Sequence, residues 1–389
     1  MKLFVVAGEP SGDRLGGALM AGLRALAPDV AFCGVGGAAM EAEGLHSLFP
    51  MEELSVMGLF EVLPKYRALT RRIAQTAQAV LDSGAVALVT IDSPDFCLRV
   101  ARLVKAVRPG LAVIHYVAPS VWAWRAGRAA RMAQVVDHVL ALLPFEPPYM
   151  TAVGMSCDFV GHPVVAEPQA DPAAVAGFAA RHGLAAPWLL ALPGSRKGEV
   201  ARLAPVIGAA LRAVPPMPVV LPTVRGVAGL VRALVADWPV PPLIVTEAED
   251  KRAAFGGARV ALAASGTVSL ELAAAGVPMV IAYDMNLISR FVIARLLKVD
   301  SVTLVNLVSE TRAVPEFLGA RCRADLIAPV LAGLVPDGPA RDAQVQAMAV
   351  TMDRLGWGGE APGLRAARSV LAAVARLAPA PDPAAAQHP

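Results

Sequence analysis

The sequence predicts an α/β protein of two doubly wound, Rossmann-like units that face a central cleft. Three observations carry this. Short aliphatic runs alternate with segments of helical periodicity, the pattern of parallel sheets covered on both faces. Glycine-bearing turns follow strand-like runs in both halves of the chain. Pro163, Pro168, Pro172 and Pro187 interrupt regular structure near the middle, a break that an eightfold barrel does not predict. At 389 residues the chain also exceeds one ordinary core.

In the first half, Leu3–Ala7 reads as a strand because it is short, apolar and rich in β-branched residues. Gly8–Gly12 is its exit turn, and Leu15–Leu26 follows with apolar residues at helical spacing. Val30–Val35 is the next strand and ends at Gly36–Gly37. Ala85–Ile91 is almost wholly aliphatic, so both its faces are covered. Asp92–Phe96 is its exit loop and Leu98–Val107 a helix. Leu111–Tyr116 and Val139–Leu142 are strands on either side of a helix at Arg125–Val135. A first domain therefore spans 1–165. A linker region covers 166–187, with room for a helix between Pro172 and Gly183.

The second half repeats the rhythm. Trp188–Leu192 is a strand, Pro193–Ser195 its turn, and Val200–Val214 a helix. Val219–Leu221 and Leu243–Val245 are short strands. Arg259–Ala263 exits through Ser265–Thr267 into a helix at Val268–Ala275, and Pro278–Tyr283 returns as a strand. This second domain spans 188–350. A helical segment at 351–377 is expected to pack back across both domains, and the Ala/Pro-rich stretch 378–389 to be disordered.

Composition excludes several classes. Hydrophobic residues make up 56% and charged residues 17%, the reverse of a disordered chain. Lys+Arg 35 against Asp+Glu 32 leaves +3, which is no nucleic-acid signature. Cys33, Cys97, Cys157 and Cys322 lie too far apart for a metal hook, and no carboxylate cluster calls for a metal or cofactor. Met1–Lys2 runs straight into a strand without a secretion signal, so a cytosolic, reduced chain is expected. Mean hydropathy is +0.55. The longest uncharged stretch, Pro109–Trp124, still falls short of the ~18–20 apolar residues of a spanning helix. Attachment to a membrane surface stays open.

Several constellations invite chemistry. Gly8-Glu9-Pro10-Ser11-Gly12-Asp13 lets the backbone approach a ligand at a helix start, or is simply a helix start capped by Ser11 or Asp13. It is neither the dinucleotide fingerprint nor a phosphate loop. Asp92-Ser93-Pro94-Asp95 leaves a buried strand, where open α/β sheets bind ligands. There Asp92 is either a general base or part of a strand-exit turn, and Asp95 suits a helix cap. His115, Tyr116, Ser120, Trp122, Trp124 and Arg125 crowd one segment, fit either to line a sugar or acyl site or to pack the core.

Leu192-Pro193-Gly194-Ser195-Arg196 combines a glycine turn, a hydroxyl and a guanidinium, which suits a diphosphate leaving group. Ser265, Gly266 and Thr267 form the corresponding turn further on. Glu271 follows about one helical turn later, placed to hold ribose hydroxyls or to favour the helix dipole. Together the two turns point to a nucleotide-diphosphate site. Finally, Met57, Leu59, Phe60, Val62 and Leu63 precede the basic Lys65, Arg67, Arg71 and Arg72. That is either an anionic-interface contact or a core helix with a wet basic face, and Pro64 argues against one uninterrupted amphipathic helix.

At these segments the sequence resembles the lipid-A-disaccharide synthase family. The matching stretches are AGEPSGD from Ala7, MGLFEVL from Met57, IDSPDF from Ile91, APSVWAWR from Ala118, PFE from Pro144, FVGHP from Phe159, LPGSR from Leu192 and ASGTVSLE from Ala264. They fall in order and cover nearly the whole chain to about residue 350. The resemblance implies a GT-B glycosyltransferase that joins UDP-2,3-diacylglucosamine to 2,3-diacylglucosamine 1-phosphate, with inversion, and needs no metal or cofactor.

By the same resemblance, Asp92 is the catalytic base, and Ser195, Arg196, Ser265, Gly266, Thr267, Glu271 and Asn306 belong to the UDP end. Apart from the resemblance, the residue types and positions of Glu9, Ser11, Gly12, Ser120, Trp122 and Arg125 make them candidates to line the substrate cleft. By the resemblance, the region Met57–Leu63, with the basic residues beyond it, touches acyl chains and the cytoplasmic face of the inner membrane. A homodimer is compatible with it. Pro10 stands where the family often has Thr or Ala, Tyr283-Asp284 where it usually has Lys or Arg, and Val305 in place of its usual Pro. A UDP-sugar epimerase on the same plan and a non-catalytic nucleotide-sugar or lipid-binding protein are the alternatives.

Overall fold

A computed structural model describes residues 1–54, 59–122, 127–285 and 300–377, without side-chain detail at 59–66. The chain divides into two compact units, one of residues 1–163 and 359–389, the other of residues 164–358. The division differs from the sequence expectation at both crossings.

In unit 1 the order is β1 (Lys2–Ala7), α1 (Pro10–Leu26), β2 (Ala31–Val35), α2 (Ala38–Ala42), α3 (Leu59–Asp82), β3 (Ala87–Ile91), α4 (Pro94–Val107), β4 (Ala112–Tyr116), α5 (Gly127–Met132), β5 (His138–Ala141), α6 (Pro147–Thr151) and β6 (Ser156–Phe159). The strands form one parallel sheet in the order β2-β1-β3-β4-β5-β6. Strand periodicity sends Phe4, Val6 and Leu88 to one buried layer and Leu3, Val5, Ala7, Val89 and Ile91 to the other. Both faces are therefore core, as the near-continuous aliphatic strands require.

Unit 2 follows with α7 (Pro172–His182), β7 (Trp188–Leu192), α8 (Lys197–Leu211), β8 (Val219–Pro222), α9 (Arg225–Leu234), β9 (Leu243–Val245), α10 (Ala248–Gly256), β10 (Ala258–Ala264), α11 (Val268–Ala274), β11 (Met279–Tyr283), α12 (Leu304–Ser309), β12 (Glu316–Leu318), α13 (Ala324–Gly333) and α14 (Pro339–Leu355). Its parallel sheet runs β12-β11-β10-β7-β8-β9.

The expected linker at 166–187 is instead structured as part of unit 2. Asp171 caps α7 by accepting from the Ala174 N–H at 2.7 Å. Phe178 of that helix is fully buried and meets the Trp188 ring edge-on at 5.6 Å. A 24-residue helix, α3, runs through Pro64, where the sequence argued for interruption. Pro64 is the sixth residue of that helix, where its missing N–H removes one bond from the ladder without ending it.

The last described helix, α15 (Pro362–Leu377), belongs to unit 1. It lies on α1 with backbones in close approach. A β-carbon on Gly363 would come within 2.5 Å of the Ala18 carbonyl oxygen, so glycine is required there. The expected disordered stretch 378–389 lies outside the described residues.

Candidate active site

In unit 1 the strand order reverses between β1 and β3. These strands are neighbours, with Ala7 beside Ile91, yet β1 leads to β2 on one side and β3 to β4 on the other. Their exit loops consequently open a space at the carboxyl end of the sheet, the usual ligand position in such folds. The two sequence motifs meet here. A β-carbon on Gly8 would lie 2.6 Å from the Ser93 hydroxyl, and one on Gly12 would lie 3.3 Å from the Ile91 carbonyl. Glu9 is half-buried with extended backbone, Ser11 is exposed, and Gly12 is buried in the first turn of α1.

Backbone strain is concentrated at the same edge. Among the described residues, four non-glycine residues have positive φ, and three of them are Asp92 (52°), Ser93 (43°) and Val117 (86°). For a β-branched valine this is a costly conformation, and such strain clusters at functional sites. Ladder bonds hold these residues in place. The Asp92 N–H donates to the Tyr116 carbonyl at 2.9 Å, and the Val117 N–H to the Leu140 carbonyl at 3.0 Å. The half-buried Asp92 carboxylate makes no hydrogen bond or ion pair among the described residues. Cys97 lies buried near it, its thiol pushed up by burial and by the Asp92 charge. Asp95 is exposed in the first turn of α4.

The next exit, after β4, carries the aromatic segment. Ser120 is exposed and Trp122 half-buried, while Arg125 and Trp124 lie outside the described residues. Trp122 donates its indole N–H to Glu146 Oε1 at 3.3 Å and meets Phe145 edge-on at 5.3 Å. Glu146 is only 4% exposed, and its Oε2 accepts from the Leu142 and Leu143 N–H groups. Burial raises its carboxyl to about 7, against the pull of those bonds. In the sequence Glu146 is part of the Pro144-Phe145-Glu146 stretch, with no spacing to another functional group that marks it. The signal was an acidic residue inside an otherwise apolar strand exit. His115 is a core residue, bonded through Nδ1 to the Thr90 hydroxyl at 2.7 Å and held neutral by burial, which lowers it to about 4.

Asp13 also departs from expectation. It does not cap its own helix, whose N-cap residue is Glu9, with no side-chain capping bond. Its carboxylate instead accepts from the N–H groups of Gly37 (2.8 Å), Ala39 (2.9 Å) and Met40 (3.1 Å) at the start of α2.

Unit 2 repeats the topology. The order reverses between β7 and β10, whose ends pair with Leu192 beside Ala263. The two turns that sequence reasoning linked are therefore neighbours on one sheet edge. Gly194 needs its φ of +107°, and a β-carbon there would strike Glu199 Oε2 at 2.7 Å. Glu199 accepts from the Arg196 guanidinium at 3.0 Å and from its backbone N–H at 3.4 Å, which fixes the start of α8. The Arg196 side chain is still 69% exposed. Gly266 adopts φ +146°, and the Ser195, Ser265 and Thr267 hydroxyls have no bond among the described residues. Glu271 pairs with Lys251 of α10. Arg202 of α8 donates to the Asp284 carbonyl at 3.2 Å, bringing a cation to the end of β11, where the sequence lacks one.

Two residues do not sit as expected. Asn306 is 1% exposed, and its amide is spent on Val314, donating to its carbonyl at 2.9 Å and accepting its N–H at 3.0 Å. It clamps a loop, with one amide N–H and the amide oxygen engaged there. Arg72 forms a two-pronged pair with Glu53 at 2.7 and 2.8 Å and covers the Phe49 ring at 4.4 Å, so it is not the free basic group expected. Arg67 and Arg71 are exposed. Met57 lies outside the described residues, and the side chains of Leu59, Phe60, Val62, Leu63 and Lys65 are likewise not described. None of the described helices is long and apolar enough to cross a membrane.

Two parallel six-stranded α/β units, each with its loops gathered at a strand-order reversal, are the architecture of the GT-B fold. The solved structure of UDP-GlcNAc 2-epimerase from Neisseria meningitidis bound to UDP-GlcNAc is similar, with a TM-score of 0.63 over 97% of this chain and 100% of that one, at 11% identity. The calicheamicin glycosyltransferase CalG4 is similar at a TM-score of 0.57, covering 97% and 99% at 17% identity. At those identities the likeness shows the fold alone.

A model of the lipid-A-disaccharide synthetase family matches residues 3–354. The lipid-A-disaccharide synthase of Ruegeria pomeroyi is 62% identical over 95% of both chains, and that of Rhodospirillum centenum 48% over 95% of this chain and 94% of that one. The chain belongs to the lipid-A-disaccharide synthetase family and is a glycosyltransferase of lipid A synthesis. The epimerase reading is not favoured.

Proposed function

We propose that the chain transfers 2,3-diacylglucosamine from UDP to the 6-hydroxyl of 2,3-diacylglucosamine 1-phosphate, with inversion, and that Asp92 is the base. The observation that supports this most is the half-buried Asp92 carboxylate, unbonded among the described residues and held at positive φ where the strand order reverses. A backbone kept in a costly conformation to present one carboxylate fits a general base better than a turn. The acceptor oxygen forms a bond to the anomeric carbon as the bond to the UDP β-phosphate oxygen breaks. The hydroxyl proton passes to Asp92, and the electron pair leaves with UDP.

The donor end falls to unit 2. Ser195, Ser265, Gly266 and Thr267 offer hydroxyls and backbone N–H groups to the diphosphate, and Arg196 offers charge to the departing phosphate. Glu271 holds ribose hydroxyls. Glu9, Ser11, Gly12, Ser120 and Trp122 serve the acceptor sugar. Arg67 and Arg71, with the apolar residues preceding them in sequence, meet an anionic membrane surface.

The test is product mass analysis with both lipid-linked sugars, alongside donor-only and acceptor-only controls. Asp92→Asn is expected to lower kcat by about 10²–10⁴ while UDP-sugar affinity stays unchanged. Near-normal turnover in that variant would remove Asp92 as the base. Product from the donor alone would instead favour epimerisation.

A further inference from the structure

Glu146 is an acidic group that the transfer step does not use, in a place that is hard to justify by stability alone. It is 4% exposed and has no ion-pair partner among the described residues. Its three donors are neutral N–H groups, two from the backbone and one from Trp122. A charge buried on such terms is expensive, and an apolar residue of like volume would serve packing better. What the carboxylate does achieve is geometric. Oε2 ties it to the start of its own loop, immediately after β5, and Oε1 reaches Trp122 in the loop after β4. The Trp122 ring is gripped further by the edge of Phe145.

The 118–122 segment leaves β4 directly after Val117, whose strained backbone is bonded to Leu140 of β5. Its neighbour on the other side is Asp92, bonded to Tyr116. The segment thus emerges between the reacting-edge loop and the Glu146 loop, and its exposed Ser120 lies two residues from the anchored indole. Without the anchor, the indole N–H has no other partner among the described residues, and the ring keeps only its edge contact with Phe145.

We propose that Glu146 is a positioning residue for the acceptor sugar, holding the Trp122 indole N–H and through it the 118–122 segment beside Asp92. This rests on the reading of unit 1 as the acceptor side. Glu146 touches no substrate, and its effect passes through Trp122.

The experiment compares the full chain with Glu146→Gln, Trp122→Phe and the double variant. It measures kcat, KM for each substrate, and direct binding of the monosaccharide 1-phosphate acceptor in detergent micelles. Glutamine keeps the shape but has one acceptor oxygen, so with the two backbone donors satisfied its N–H₂ faces the indole N–H; phenylalanine keeps a ring but removes the indole N–H. Each single variant is expected to weaken acceptor binding and raise acceptor KM about tenfold, the scale of one charge-assisted hydrogen bond. Donor KM should stay within about twofold, and the double variant should be no worse than the weaker single one. Acceptor affinity unchanged in Trp122→Phe, multiplying effects in the double variant, or equal losses for donor and acceptor would each overturn the proposal. Trp122→Phe keeps the test decisive if Glu146→Gln fails to fold. If Asp92→Asn abolishes transfer while these variants bind acceptor normally, only the positioning role fails. If no disaccharide forms in the unaltered protein, the transfer reading fails, and the binding measurement still judges Glu146.

Discussion

Asp13→Asn separates a structural from a functional reading of the first glycine motif. In the folded chain one carboxylate oxygen accepts from Gly37 and Met40 and the other from Ala39. Asparagine has one acceptor oxygen. It can keep at most two of these bonds, now without charge, and it turns an N–H₂ toward the third backbone N–H. Charge-assisted bonds contribute about 1.5–3 kcal/mol each against about 1 for neutral ones, and an orphaned buried donor costs about 1–3 kcal/mol. Asp13 is 6% exposed, so water cannot make up the loss. At the low end of these ranges the loss is about 3.5 kcal/mol from unit 1, or a fall of roughly 7–14 °C in its unfolding midpoint at about 2–4 °C per kcal/mol. Thermal and urea unfolding followed by circular dichroism, with activity measured well below the transition, reads both quantities. Retained stability with a collapse in kcat or substrate KM would refute the reasoning and return Asp13 to the substrate.

The other predictions concern pH and the donor site. Glu146 has its folded carboxyl raised to about 7 from an ordinary 4.5, so the folded chain binds that proton more tightly and the group's penalty is absent below about pH 4.5. The penalty grows as pH rises to 7, to about 3 kcal/mol for a group this buried, and the stability gap between the unaltered chain and Glu146→Gln should change over that window. A flat gap between pH 4.5 and 7.5 in urea titrations would count against it. His115 and His162 run the other way: burial lowers both to about 4 from 6.5, so they should weaken the fold as pH falls from about 6.5 toward 4. Lys251→Met should leave Glu271 unpaired and raise donor KM several-fold with acceptor KM unchanged, and equal donor KM would show that Lys251 does not orient Glu271.

Local chemistry made much of this protein legible. Aliphatic runs such as Ala87–Ile91 and Trp188–Leu192 can only be strands buried on both faces, and the glycine turns after them follow from the need to reverse into a helix. Spacing also marked Asp92 and the two turns of unit 2 as strand exits. What it lacked was adjacency. A carboxylate and an arginine look alike in sequence whether they face solvent or a partner, and the partners here lie far along the chain. Arg72 is answered by Glu53, Asn306 by Val314, and Asp13 by the start of α2.

The sequence by itself determined the elements, the family motifs and the repeated strand–turn–helix order, because those depend on periodicity and on backbone freedom within a few residues. Only the tertiary structure decided which exits share a sheet edge, where positive φ is stored, that 166–187 is a packed part of unit 2, and that α15 returns to unit 1. Those outcomes depend on strand order and burial, and both are set by contacts between residues that no short window of sequence contains.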